Sequence, residues 1–464
     1  MKRLILLAAA AILACGTTSA QESQVAKGET VITDAEGKAA DGKMQQYRRS
    51  SLYSVLIAHS TFNYGDVIKE TFVSIPTPDK FNSHDVAAKI FESSSEKMIK
   101  NPKKKEELNQ ADIEAFMQEH DVARRMVAKW FNRDAETGFF DTSYVQECGI
   151  SSASWADKAE AASTILGVDQ LKTEIGQELV GKTFLLVNDI VFVDKGEQSA
   201  KAAAGLKIFG ALASAVTGSS AFEDLGNAAG NAVNEIDGFT VKIVSYLFRL
   251  DWNEHIMNTF YNDHWIDAES HSYMSAEEIA QKRAAFDATD IFKLTYIGQT
   301  ETQAGNLSSK SFAQKSKEEQ MLKVCTRAID KSIVELQREY DEFKVNVPIM
   351  SISEDGKTCQ IPVGLKEGVN EKSVYKAVMP VQDPETGEYT YKTIATLKPV
   401  KGQIWDNRFG AAEDAAAIAA GEAKGSEEDE AGNADLTATT FEITSGANNI
   451  MEGTLVREET IKRN

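Results

Sequence analysis

Three histidines and three carboxylates fall in one short stretch: His255, Asp263, His264, Asp267, Glu269 and His271. Zinc chemistry needs two or three imidazoles, often with a carboxylate, converging at roughly 2.0–2.2 Å. His255, His264 and His271 are therefore the candidate metal ligands of a metal-dependent hydrolase. Their spacing follows no zinc signature, and Glu254-His255 lacks a second histidine one turn on. The competing reading is that they are surface or hydrogen-bonding histidines in a polar connection. His120 lies on the apolar face of a helical pattern, where a hydrogen-bonded core histidine is expected. His84-Asp85 follows Asn82 and Ser83, either of which suits the cap of a helix starting after Asp85. Asn132-Arg-Asp134-Ala-Glu136-Thr-Gly138 places oxygen ligands at alternate positions, as calcium loops do. Its glycine comes one residue late, the closing glutamate is missing, and a turn explains the same residues. The sequence has no G-x-S-x-G elbow, P-loop, C-x-x-C or dinucleotide fingerprint. No carboxylate pair stands out among the 70 acidic residues.

The elements that would position these groups begin near Tyr47, where Leu52, Tyr53, Val55, Leu56 and Ile57 supply core candidates. Ile75-Pro-Thr-Pro78 reads as an extended connector. Phe116, His120, Ala123, Val127, Trp130 and Phe131 recur at helical spacing, predicting one helix from Ile113 to Phe131. Two shorter helices are expected around 155–165 and 169–179. Residues 183–193 read as a strand pair or one long buried strand, and 239–252 and 292–297 as further strands. Ser275-Ala-Glu-Glu278 has capping-box spacing and predicts a helix to about Phe286. Leu322, Cys325, Ile329, Ile333, Leu336, Tyr340 and Phe343 form one long apolar helical face.

Beyond Phe343 the period becomes that of strands. Strands at 344–352 and 357–363 flank the turn Glu354-Asp355-Gly356. Strands at 374–381 and 389–397 flank Asp383-Pro-Glu-Thr-Gly387. Signals at 402–405, 439–443 and 453–456 complete a small β-barrel or sandwich. The Ala-, Gly- and Glu-rich stretch 410–436 interrupts it and reads as a mobile acidic insertion.

Lys2 and Arg3, the apolar run Leu4 to Ala14 and the small residues of Thr18-Ser19-Ala20 have the layout of a secretory signal peptide. Cleavage would start the mature chain at Gln21, while acylation at Cys15 would make it a lipoprotein. The expected location is periplasmic or extracellular. About 440 residues remain, enough for two or three domains. Loss of Lys2 and Arg3 takes the net charge from −20 to −22, which disfavours nucleic acid as a partner. The apolar fraction of 42% and charged fraction of 26% are those of a soluble globular protein. Cys148, Cys325 and Cys359 survive cleavage and permit at most one disulfide, with Cys148–Cys359 the pair to test. Residues 203–222 carry only Lys207 as a charge and repeat small residues at four-residue spacing. A helical excursion is the preferred reading there, and peripheral membrane contact the alternative.

Arg48-Arg-Ser-Ser-Leu-Tyr53 with Ile75-Pro-Thr-Pro-Asp-Lys-Phe81 resembles an uncharacterised family of secreted bacterial proteins. Val363-Gly-Leu-Lys-Glu-Gly368 through Ile404-Trp-Asp-Asn-Arg408 resembles small β-barrel domains of envelope-assembly proteins, such as the flagellar assembly T-type C-terminal domain. That second resemblance implies a non-enzymatic β module and brings no catalytic motif.

The expected fold is α+β. After a signal peptide (1–20) and a disordered leader (21–46) comes an α/β-type domain (47–310) with a Gly/Ala-rich insertion (200–236). A long connecting helix (311–343) leads to a β-barrel-like domain (344–458) with the acidic insertion 410–436. The expected function is an exported, non-enzymatic envelope protein that binds other envelope proteins or cell-surface components and uses no cofactor. The alternatives are the hydrolase built on His255, His264 and His271, and a membrane-associating protein acting through residues 203–222.

Overall fold

The computed structural model describes residues 50–59, 65–93, 112–152, 176, 178–194, 239–305, 309–382, 389–423 and 432–459. The leader regions, the helix expected at 155–165, all but residues 176 and 178–179 of the helix expected at 169–179, and the insertion 200–236 with its 203–222 segment therefore lie outside the described residues; residues 176 and 178–181 are helical.

The apolar run after Ser50 forms β1 (Ser51–His59), followed by helix α1 (Gly65–Ser74) and the short strands β2 (Asn82–Ser83) and β3 (Ile90–Ser93). Both short strands pair with β1 in parallel. Where one helix was expected from Ile113 to Phe131, there are two. Helix 112–119 stops at His120, and α2 (Val122–Trp130) begins after Asp121, whose φ of 50° is left-handed. A left-handed residue breaks the helical hydrogen-bond ladder. The break turns His120 out to solvent, against the ring of Phe116, instead of into the core.

After α3 (Ser143–Ser152) come three long strands, β4 (Thr183–Asp194), β5 (Phe239–Leu250) and β6 (Leu294–Gly305). β4 is a single strand, parallel to β1 and antiparallel to β5, and β5–β6 continues the meander. Between β5 and β6 lie α4 (Glu254–Thr259), a π-helical turn Phe260–His264 and α5 (Ala276–Ala288), which starts with the expected Ser275–Glu278 capping box.

Alternation along the strands gives this sheet two buried faces. Tyr53, Val55, Ile57, Leu185, Val187, Tyr246 and Phe248 meet an aromatic layer that includes Trp130, Phe131, Phe140, Phe260 and Phe286. The Trp130 indole N–H donates to Thr183 Oγ1 at 2.8 Å. Leu52, Leu56, Phe184, Leu186, Ile243 and Leu247 meet the long helix α6 (Lys317–Glu339) through Val324, Cys325, Ala328, Ile329, Ile333 and Leu336. α6 also opens with a capping box, Ser316–Glu319. A buried hydroxyl chain crosses this interface. Ser245 Oγ donates to Asn188 Oδ1 at 2.7 Å and lies 2.9 Å from Ser332 Oγ, which in turn lies 3.0 Å from Thr302 Oγ1.

The remainder is built from β7 (Val347–Pro348), β8 (Ser351–Ile352), β9 (Thr358–Ile361), β10 (Tyr375–Gln382), β11 (Tyr389–Pro399), β12 (Ile404–Trp405), helix α7 (Ala411–Ala419), β13 (Gly432–Asn433), β14 (Thr439–Ser445) and β15 (Leu455–Glu458). Seven of these strands form an antiparallel sheet in the order β7-β15-β10-β11-β14-β9-β8. Its first and last strands belong to one extended segment, 347–352, which pairs with β15 on one side and β9 on the other, so the sheet curls back on itself. The chain is thus α+β, as the sequence patterns predict, and residues 48–464 form one compact unit. No helix among the described residues is long and apolar enough to cross a membrane.

The acidic stretch is corrected in part. Residues 411–419 are a docked helix, because Asp414 is held between Lys323 and Arg327 of α6, each at 2.6 Å. Residues 424–431 lie outside the described residues.

Candidate functional site

The structure does not bring the three candidate metal histidines together. His255 is exposed on α4. His264, in the π-helical turn, is buried beside Phe286 and Phe292, its Nδ1 has no hydrogen-bond partner, and burial lowers its pKa. His271 is exposed on a 3₁₀ turn against Phe139. Asp267 accepts from the Trp265 indole N–H at 2.9 Å and from the backbone N–H of Ser270 at 2.6 Å. Among the described residues no group of three His, Cys, Asp or Glu is placed to hold a metal ion.

The other singled-out residues have structural partners. His84 lies in a loop between β2 and β3, not ahead of a helix, because residues 82–83 pair with β1 instead of capping. Its Nε2 donates to the Met126 carbonyl at 2.8 Å, its ring lies 5.0 Å from Trp130, and burial pushes its pKa down to about 3. This imidazole stays neutral. Asp134 folds its own loop, accepting from the backbone N–H groups of Glu136 at 3.0 Å and Thr137 at 2.6 Å. Gly138, at φ 74°, completes the turn beneath Arg283. Cys148, Cys325 and Cys359 are buried and not joined in a disulfide, and burial pushes Cys359 up to about 12.

Sequence reasoning passed over the one histidine that the fold sets against a buried carboxylate. His59 ends β1, and its Nε2 lies 2.8 Å from Asp189 Oδ1 of β4; both side chains are under 5% exposed. With Asp189 ionised, Nε2 carries the hydrogen and Nδ1 becomes the acceptor, so the carboxylate fixes both tautomer and ring orientation. The pair lies toward the carboxyl end of parallel strands, where open α/β sheets place ligands. On the same sheet face, Lys242 of β5 and Glu301 of β6 form a further ion pair at 2.7 Å. This face is therefore aromatic over one half and charged over the other. An imidazole so held can move a proton, but its burial seals it from bulk solvent. The signal in the sequence was a polar residue interrupting each of two apolar strand runs, His59 after 52–58 and Asp189 within 183–193.

The C-terminal sheet offers an accessible feature. Among the described residues, β10 pairs with β15 only as far as Val378, and β11 pairs with β14 only from Thr396 onward. The far parts of β10 and β11 continue as a two-stranded ribbon with open edges. Met379 and Val381, 46% and 40% exposed, lie on one face of it. On the other strand, Tyr391 lies 5.2 Å from the Arg457 guanidinium and 5.9 Å from Lys182 Nζ.

No protein-family model matches this chain, and no curated protein matches it.

Proposed function

We propose that this chain is an exported, non-enzymatic protein of the cell envelope that works by binding another envelope protein through the β10–β11 ribbon. The observation that supports this reading is the ribbon itself. Among the described residues its strands run past the neighbouring strands β15 and β14, and Met379 and Val381 are exposed beside that open length. Exposed backbone donors and acceptors on an edge strand are a template for an added strand, and side chains at alternate positions give that pairing its selectivity. The partner this geometry suits is an extended segment with small or apolar residues at every second position. Export rests on the signal-peptide layout of residues 1–20.

The test is a photo-reactive amino acid placed at Met379 in the producing cells, with Phe409, also exposed, as the control position. A discrete adduct with one envelope protein is expected from position 379, lost when Val381→Lys is added and not formed from position 409. Absence of an adduct at 379, or an identical pattern from both positions, refutes the ribbon as the contact element. Recovery of the protein with Met1 to Ala20 still attached, inside the cell, refutes export.

A further inference from the structure

The two edges of the β10–β11 ribbon are not equivalent. Antiparallel strands turn the backbone groups of successive residues alternately toward one neighbour and the other. Glu459, just after β15, donates its N–H to the Val374 carbonyl at 2.8 Å, so the even-numbered residues of β10 turn their backbone groups toward β15. Pairing with β15 ends at Val378, and the next outward position is Pro380, which has no N–H. A proline so placed closes an edge to strand addition.

β11 has no such closure. Val400 donates its N–H to the Thr440 carbonyl at 2.9 Å, which turns the even-numbered residues at the end of β11 toward β14. The bulge opposite Ala377 and Val378 shifts this alternation by one residue. Tyr391, paired with Pro380, therefore turns its N–H and carbonyl away from β10, and among the described residues no strand meets them.

Charge marks the same edge. Thr390 and Lys392 are exposed on the face that carries Val381 and Met379, the residues they pair with. On the opposite face the Tyr391 ring lies 5.2 Å from the Arg457 guanidinium and 5.9 Å from Lys182 Nζ, and Lys182 is bridged to Glu178. Cations thus flank this edge on both faces, in a chain whose net charge is −20.

We propose that β11 is the receiving edge of the ribbon and that its occupant is an extended acidic segment of the partner. Aspartate or glutamate stands at the alternate positions beside Lys392, and apolar residues at those beside Tyr391. This rests on the ribbon being the contact element. Main-chain bonds to Tyr391 hold the segment, Lys392 selects its charge, and Pro380 confines it to one edge. A second copy of this chain suits the edge less well, because pairing β11 with β11 gathers both Lys392 side chains on one face.

Two labelled synthetic peptides, one alternating valine with glutamate and one alternating valine with lysine, probe this edge on the full chain by fluorescence anisotropy. The glutamate peptide is expected to bind on the order of fivefold more tightly than the lysine peptide. Lys392→Glu, at an exposed position, should reverse that order. Tyr391→Pro removes an N–H that faces away from β10 and should abolish binding. Tyr391→Val keeps that N–H and should retain binding; the Tyr391 hydroxyl has no hydrogen-bond partner among the described residues, so the change breaks none. No binding of the glutamate peptide, an unchanged preference in Lys392→Glu, or retained binding in Tyr391→Pro each overturns the proposal. A wild-type dimer that Tyr391→Pro converts to monomer overturns it too, by making a second copy the occupant. The ribbon as contact element stands or falls with the adduct at position 379, so the two readings fail separately.

Discussion

Replacing Asp414 by alanine should be among the most damaging single changes in the C-terminal half. Its side chain is 7% exposed and touches Lys323, 5% exposed, and Arg327, 13% exposed, at 2.6 Å each. Removing one partner of a buried ion pair costs about 3–5 kcal/mol, because the remaining charge stays out of water with nothing to balance it. Here two cations are left, but neither is wholly orphaned. Arg327 keeps the Phe409 carbonyl, and Lys323 keeps a long contact of 3.4 Å to the Gly410 carbonyl. These residual bonds place the expected cost near the lower end, about 3 kcal/mol. Urea unfolding of the protein, followed by circular dichroism, measures it as a lower midpoint at unchanged slope. The triple change Lys323→Met, Arg327→Leu, Asp414→Leu removes all three charges together and should recover most of the loss. A cost below about 1 kcal/mol for Asp414→Ala would refute the reasoning. A triple variant no better than the single one would refute it equally.

Other expectations follow from the same structure. A Cβ on Gly298, at the β-bulge in β6, would overlap the Tyr340 ring, so Gly298→Ala should destabilise by about 1–3 kcal/mol in the same unfolding assay. Ser332→Ala removes the hydroxyl that joins Ser245 to Thr302 across the interface between sheet and α6, and should cost about 1–3 kcal/mol in thermal or urea unfolding. His84 is held neutral with its pKa near 3, below the unfolded value, so the stability it confers is present above about pH 6.5 and lost as pH falls toward 3. The expected slope from this group is about 1.4 kcal/mol per pH unit in that window, and His84→Gln should flatten it in pH-dependent unfolding. Asp189→Asn keeps the shape of the His59 pair but removes its charge, so the His59 ring protons should shift in the nuclear magnetic resonance spectrum at fixed pH while those of the exposed His255 and His271 stay in place.

The elements most legible in the sequence are those set by local pattern. β4 and β5 follow apolar runs, α5 follows a capping box that the structure reproduces bond for bond, and α6 follows its long apolar face. The hairpin at Gly356 lies where Asp355-Gly356 puts it, because φ of 68° suits glycine. Illegible features depend on partners distant in the chain. His59 and Asp189 meet across 130 residues, and nothing local to either announces the other. The stripe Lys323, Arg327, Asp330 and Arg338 reads from sequence as a solvated face; only the arrival of the β domain buries it. The helix break at Asp121 escaped for a different reason. The apolar spacing continues through it, so periodicity alone cannot report a single left-handed residue. The spacing of His255, His264 and His271 suggested nearness, but α4 and the turns after it point the three rings to different surroundings.

The double pairing of segment 347–352 constrains how the protein can be made. Its β7 part is zipped to Leu455 and Val456, far along the chain, while its β8 part pairs with β9 only a few residues away. Because β15 also lies against β10, two separate stretches of the C-terminal sheet depend on a strand made after both of them. Neither stretch completes its pairing until β15 has been made. A truncation before Leu455 would leave β7 and β10 as raw edges open to pairing with neighbouring molecules.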